Sequence, residues 1–461
     1  MDDIISSIEN SLQDFSSFIW GYPMVILLLG THIYLTLKLK FPQRKLFTAI
    51  KLSLSKEDNQ NGDVSPFAAL ATALAATIGT GNIVGVATAI SLGGPGAVLW
   101  CWLTGIFGMS TKYAESYVGI KYRIKTEDGK MLGGPMYALE KGLKIKWLGI
   151  TFAILTAIAA FGIGNSVQAN AISENICELI SLDPSITKII VGLLLACLVA
   201  TVIIGGVKSI SKICTRLVPF MALFYILGCI YILIMNYDTI IPSIQWICKD
   251  AFTGEAMGGG AAGGGIMLVA RYGIARGLFS NEAGMGSEPI VAAAAQTRNP
   301  ARQALVSSSG VFWDTVVICA MTGLVIVTTL IKSPELVNHS GLLTKKVFES
   351  IPVIGMPLLS FGMLTFAFST ILGWCYYGER SMEYIAGKKS IKYYRIAWIV
   401  FVFAGCIMSL NFVWSFAEIM NAFMAIPNLI AVLFLSNLIA RETDYYVWKK
   451  NLHKHHEDSM K

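Results

Sequence analysis

Long apolar stretches separated by short polar connectors run through almost the whole chain, and each is long enough to cross about 30 Å of hydrocarbon as a helix. They fall at Phe18 to Leu37, Phe67 to Leu92, Gly96 to Gly119, Trp147 to Ile180, Ile189 to Gly206, Leu217 to Met235, Gly259 to Phe279, Ser308 to Ile331, Met356 to Trp374, Ile396 to Leu410 and Val413 to Leu438. The pattern predicts an all-α polytopic membrane protein of about eleven spans. Set the first aside and ten remain, in two sets of five. An odd number per set makes the second set run opposite to the first, which is the arithmetic of an inverted repeat. The expected organisation is therefore an extra N-terminal span with an amphipathic segment over residues 1–56, a first repeat over 57–240, a second over 241–440, and a charged tail over 441–461.

The first span of each set is interrupted by glycine. In the first set the run from Ala75 to Gly85 contains Gly79-Thr80-Gly81; in the second, Gly263-Gly264-Gly265 continues through Gly273 and Gly277. Unwound backbone in a bilayer leaves N–H and C=O groups unpaired, so it persists only where protein, water or a bound solute supplies partners. Paired interruptions therefore point to a binding site near the membrane midplane. The competing reading is close helix packing of the small-xxx-small kind.

Composition agrees with the membrane reading: 54% of residues are hydrophobic and 14% charged, with a mean hydropathy of +0.61. The net charge of +7 does not imply a nucleic-acid partner, because the basic residues sit in short loops. Lys38, Lys40, Arg44, Lys45 and Lys51 follow the first span, Lys121, Arg123 and Lys125 the third, and Lys208, Lys212 and Arg216 the fifth. Arg298 and Arg302, then Lys388, Lys389, Lys392 and Arg395, and finally Lys449 and Lys450 fall on the same side. The positive-inside rule makes that side cytoplasmic, with the N-terminus outside and the C-terminal tail inside. Asp2, Asp3, Glu9 and Asp14 replace the basic start of a cleavable signal peptide, so the first apolar run is expected to stay as a span. Pro42 to Ser55 and Pro135 to Leu143 are short and too polar to cross, and are expected on the cytoplasmic surface. The nine cysteines are scattered singly, without metal-ligand spacing.

Several motifs resemble the alanine or glycine:cation symporter family. They are Gly79-Thr80-Gly81-Asn82-Ile83, Leu92-Gly93-Gly94-Pro95-Gly96, Gly133-Gly134-Pro135-Met136-Tyr137, Phe279-Ser280-Asn281-Glu282-Ala283-Gly284-Met285-Gly286-Ser287, and Leu372-Gly373-Trp374 with Tyr377-Gly378-Glu379. The resemblance implies a leucine-transporter-type 5+5 inverted repeat and sodium-coupled uptake of a small neutral amino acid such as alanine or glycine across the cell membrane. The chain departs from the family where Trp-Gly-Val-Lys-Arg-Gly is usual and Tyr272-Gly273-Ile274-Ala275-Arg276-Gly277 stands here.

An amino-acid zwitterion needs donors for its carboxylate and acceptors for its ammonium. The half-helix starting near Thr80 would offer the carboxylate the Gly81 and Asn82 N–H groups, a positive dipole end and the Thr80 hydroxyl. The ammonium would meet carbonyls freed around Tyr272, Gly273, Ile274 and Gly277. Asn165, Gln168 and Asn170, an amide-rich run in the third core span, are candidate contacts or else interhelical hydrogen bonds. Trp374 is a candidate wall or an interfacial anchor.

For sodium, the resemblance implies carbonyls of Ala75 and Ile78, a carbonyl at Thr365 or Phe366, and the hydroxyls of Ser369 and Thr370. Oxygen-only ligation suits a hard cation. The absence of a carboxylate from that set favours sodium over a proton, whose coupling generally shows an ionisable relay. Asp314 sits early in its span and is expected either within it or near the cytoplasmic end with a base such as Arg276; Arg276, Glu282 and Glu288 surround the turn there, as an ion-pair gate or as a static salt bridge that fixes the loop. Lys112 and Glu115 are spaced for a local pair. A proton-coupled carrier is the nearest alternative, then a channel. A membrane-embedded enzyme is disfavoured because the chain has no His-Glu-x-x-His and no Gly-x-Ser-x-Gly.

Overall fold

A computed structural model describes residues 2–55, 61–180, 182–253, 265–338, 343–408 and 410–455. In chain order the main helices are α1 (Asn10–Lys38), α2 (Leu46–Ser53), α3 (Pro66–Thr77), α4 (Gly81–Gly93), α5 (Ala97–Lys121), α6 (Lys146–Leu179), α7 (Pro184–Ile203), α8 (Gly206–Met235), α9 (Ile240–Thr253), α10 (Gly265–Asn281), α11 (Pro300–Lys332), α12 (Leu343–Phe348), α13 (Gly355–Ala386), α14 (Ser390–Ile407) and α15 (Leu410–Phe434). Eight of them are long and apolar enough to cross a membrane, and the bent pair α3 and α4 makes a ninth crossing. The two remaining windows are occupied by α5, which carries buried polar and charged residues, and α10, 17 residues long.

Local chemistry fixes where several helices begin. Ser65, Asp183 and Asn299 cap α3, α7 and α11 through side-chain oxygens that accept backbone N–H bonds, and each is followed by proline at the first helical position. A two-stranded hairpin, β1 (Ile124–Lys125) with β2 (Met131–Leu132), follows α5. The adjoining Arg123 donates to the carbonyls of Ala293, Ala295 and Asn61, and burial lowers its guanidinium to about 10.

The long helices form two packing groups. In one, α5 lies against α10 and α11; in the other, α7 packs on α14, and α13 on α6 and α8. The α3 segment bridges them, packing on α8 and α13 of the second group and on α11 of the first. Lys40, Lys208, Lys388 and Lys449 mark one end of the molecule, hereafter the basic end; α9 and α12 lie at the other. Pro135 to Leu139 corrects the sequence expectation, because it is buried and packed against α6 and α15 rather than laid on a surface.

Candidate functional site

The backbone breaks between Thr77 and Gly81, and α3 and α4 meet at a bend of 53°. Side chains take up what the break releases. The Gly79 N–H donates to Asn82 Oδ1 at 2.9 Å, and the Thr80 N–H faces Gln168 Oε1 at 3.4 Å. Gln168 is held in turn by donating to the Ile163 carbonyl at 2.9 Å. A Cβ on Gly79 would come within 2.8 Å of Thr370 Oγ1 and 3.3 Å of Gln168 Oε1, so glycine is what permits this approach.

Because the Gly79 N–H turns away, the Ala75 carbonyl loses its usual partner four residues on. It faces Thr370 Oγ1 at 3.0 Å and Ser369 Oγ at 3.3 Å. The Ile78 carbonyl lies 3.4 Å from Thr370 Oγ1, and the Phe366 carbonyl accepts from both hydroxyls at 2.9 and 3.0 Å. Two hydroxyls carry one proton each, so they cannot satisfy all three carbonyls at once. The five oxygens form an uncharged cluster with acceptor capacity to spare, the donor chemistry that suits a hard monovalent cation. Thr365 stands apart: its hydroxyl returns to the Phe361 and Gly362 carbonyls, and it borders a separate apolar groove.

A cavity of about 370 Å³ reaches from the end opposite the basic loops down to the break. Its walls come from α4 (Thr80, Ile83, Val84), α6 (Ala171, Glu174, Asn175, Glu178), α12 (Thr344, Lys345), α13 (Met356, Leu359, Met363) and α15 (Trp414). At the mouth, Lys345 Nζ meets Glu178 at 2.6 Å and Thr344 donates to the Ile83 carbonyl at 2.9 Å, so α12 ties α6 to α4. Thr80 is 1% exposed, and among the described residues its hydroxyl has no hydrogen-bond partner.

Below the break, towards the basic end, the interior is packed and charged. Lys112 Nζ reaches Glu115 at 3.1 Å, Glu288 at 3.4 Å and the Glu282 carbonyl at 3.1 Å, all buried. The spacing-predicted Lys112–Glu115 pair is thus present on α5 and joined by Glu288 from the stretch that follows α10. Glu282 also accepts from Ser287 at 2.6 Å and from Trp374 Nε1 at 3.0 Å. Trp374 packs on Gly164, where a Cβ would lie 2.0 Å away, and belongs to this plug rather than to the cavity wall.

Several expected placements change. The α10 helix is continuous from Gly265 to Asn281, so Tyr272, Gly273, Ile274 and Gly277 do not free their carbonyls. Those glycines serve packing instead: a Cβ on Gly273 would sit 2.3 Å from the Ala97 carbonyl, and one on Gly277 2.2 Å from Thr104 Oγ1. Gly263 and Gly264 lie outside the described residues. The unwound stretch comes later, after Asn281, with positive φ at Glu282, Gly284 and Gly286. Asn165 donates to the Trp398 carbonyl of α14 (3.0 Å) and Asn170 to the carbonyl of Met408, which caps that helix (2.8 Å). Arg276 pairs with Glu418 at 2.7 Å and lies over the Trp414 ring. Asp314 is buried beside the break, where Asn82 Nδ2 (2.7 Å), Ser280 Oγ (3.0 Å) and Thr315 Oγ1 (2.7 Å) donate to it. The helix runs through Asp314 as a π-helical turn over Phe312–Cys319, so the carboxylate lies inside the span and not at its end. Sequence reading missed α12 and Trp414 because nothing in a short polar connector or a span-end tryptophan announces a cavity.

A discontinuous helix lying between two packing groups matches a known transporter architecture. MhsT in complex with L-phenylalanine aligns with a TM-score of 0.61 over 85% of this chain and 95% of its own, at 16% identity. The fold is leucine-transporter-type, a 5+5 inverted repeat preceded by one helix, and the molecule is a multi-pass membrane transporter, not an enzyme. The chain belongs to the sodium:alanine symporter family, whose model matches residues 5–460. The sodium/alanine symporter AgcS of Methanococcus maripaludis is 50% identical over 437 residues, 93% of this chain and 95% of that one. An uncharacterized transporter of Haemophilus influenzae is 46% identical over 459 residues, 98% and 99% of the two chains.

Proposed function

We propose that the protein imports a small neutral amino acid, alanine or glycine, together with sodium, by alternating access. The observation that carries this reading is the unpaired Thr80 hydroxyl, buried at the foot of the cavity and next to the uncharged oxygen cluster. The substrate carboxylate takes the Thr80 hydroxyl and the first turn of α4, where the helix dipole is positive. The ammonium takes Gln168 Oε1. Sodium is the second substrate, held by the Ala75, Ile78 and Phe366 carbonyls with Ser369 and Thr370. Asn82 shapes the break from behind.

The basic end is cytoplasmic by the charge bias of its loops, so the cavity opens outwards and the Lys112–Glu282–Trp374 plug closes the inner path. The protein resides in the cell membrane, N-terminus outside, with the repeats at 57–240 and 241–440. Rocking of the α5–α10–α11 group against the other exposes the site to each side in turn. One charge crossing about 100 mV releases roughly 2.3 kcal/mol, or nearly fifty-fold accumulation of a neutral solute.

Counterflow of labelled alanine, glycine and glutamine into proteoliposomes, with and without a sodium gradient, tests the proposal. Uptake of alanine or glycine that rises steeply with sodium is the expected result, and uptake indifferent to sodium overturns it. Asp314 favours a second reading, coupling to a proton, since a membrane-buried carboxylate hydrogen-bonded only to neutral groups is a ready proton site. In the same vesicles, loss of uptake on adding a protonophore under a maintained sodium gradient and clamped voltage would select that reading.

A further inference from the structure

Away from the cavity and the plug, the basic end carries a second concavity, of about 870 Å³, lined by the β1–β2 hairpin, the α7–α8 turn and the α13–α14 turn. Six basic side chains, Lys130, Lys208, Arg380, Lys388, Lys392 and Arg395, face only two aspartates, Asp63 and Asp128. Some of the charge is committed. Arg395 forks onto Glu379 at 2.6 and 2.9 Å, Lys388 and Lys130 share Asp128 at 2.8 and 3.3 Å, and Arg380 pairs with Glu383. Lys208 and Lys392 are exposed and form no ion pair among the described residues. The buried Arg380 Nε, on the pocket wall, has no hydrogen-bond partner among the described residues.

The other half of the wall is apolar and continues onto the hydrocarbon-facing surface. Ile204 is 71% exposed and Ile396 52% exposed, and both belong to the pocket lining. A site for a free, soluble anion has no need of such a wall. A lipid needs both parts: cations for its phosphate, and a greasy margin at the membrane interface for its acyl chains. The simpler account, that these lysines only orient the protein, does not explain why they converge on one concavity beside a guanidinium whose Nε is left without a partner among the described residues.

We propose that this pocket binds the phosphodiester headgroup of an anionic phospholipid, with Lys208, Lys392 and Arg380 on the phosphate and the acyl chains along Ile204 and Ile396. A lipid seated there joins the start of α8 to the start of α14 across the Gly205–Gly206 turn.

Full-length protein in neutral detergent is titrated with phosphatidylglycerol, diphosphatidylglycerol or phosphatidylcholine, reading lipid retention by native mass spectrometry and the unfolding temperature. Anionic lipids are expected to be retained and to raise the unfolding temperature, and phosphatidylcholine is not. Lys208→Gln with Lys392→Gln should weaken retention about thirtyfold. Lys51→Gln, at the same end but outside the pocket, should leave it unchanged and controls for bulk charge. Equal retention of phosphatidylcholine, undiminished retention by the double variant, or equal stabilisation by soluble pyrophosphate would overturn the assignment. Should the double variant fail to fold, Lys392→Gln alone carries the same readout, and unchanged retention there is equally fatal.

Discussion

Two glycine-rich stretches, Gly79 to Gly81 and Gly273 to Gly277, give the same signal in sequence and end in different conformations. The first breaks its helix; the second runs through it unbroken. What separates them is not glycine but the side chains waiting for the released backbone. At the first, Asn82 and Gln168 stand in for carbonyls, while Ser369 and Thr370 stand in for N–H groups. Around the second, an added Cβ would collide with α5 at 2.2–2.3 Å, so the glycines let two helices come together. The later unwinding after Asn281 obeys the rule of the first: Asn281 Oδ1 accepts from the Ala283 N–H, Glu115 from the Gly284 N–H, and Asn428 donates to the Gly284 carbonyl. A helix opens in this membrane protein where polar side chains outnumber the partners they already have.

The largest effect is expected from emptying the first break of its hydroxyls. Ser369→Ala with Thr370→Val removes both, at about 1.5 kcal/mol or more for each group that touches a charge, so sodium-dependent uptake should fall about a hundredfold or more. Initial rates against sodium concentration measure it. A variant whose sodium response matches the parent would detach the cation from this cluster.

Much of this was legible beforehand, and the failures share a cause. Apolar length and loop charge gave the spans, and the Thr80 break followed from glycines flanked by a threonine and an asparagine. The same inspection placed the second break eight or so residues too early, because Gly273 and Gly277 look like Gly79 and Gly81 when the neighbouring helix is unknown. Asn165 and Gln168 are likewise indistinguishable in sequence, three residues apart, yet one turns to α14 and the other to the break. Opposite charge alone offers Arg276 as a base for Asp314, whereas Glu418, some 140 positions away in the chain, claims the arginine. Which polar side chain faces which helix is tertiary information, and one sequence does not hold it.

The contrast between the two stretches sharpens with a matched pair of alanines. Gly277→Ala drives a methyl to within 2.2 Å of Thr104 Oγ1, and overpacking of that kind costs about 1–3 kcal/mol. It should lower thermal stability while leaving the apparent sodium constant of the surviving protein unchanged. Gly79→Ala meets a hydroxyl at 2.8 Å, and should do the reverse, raising the sodium constant several-fold at little cost in stability. Equal behaviour of the two variants, by differential scanning fluorimetry and sodium titration, would dissolve the distinction.

The smallest effect is expected at Arg276, which joins the unbroken helix α10 to α15. Its ion pair with Glu418 is short, at 2.7 Å, but both side chains are about one-fifth exposed. Glu418 also accepts from Ser16 at 2.5 Å, so the carboxylate is not abandoned when the guanidinium leaves. A pair in that setting contributes about 1 kcal/mol or less. Arg276→Gln keeps a polar tip near Trp414 and should shift the transport KM by no more than about fivefold, with turnover little changed. Were turnover to collapse instead, the pair would be a moving closure of the outer path, and α10 would join the break at Thr80 as a part of the machine that changes shape.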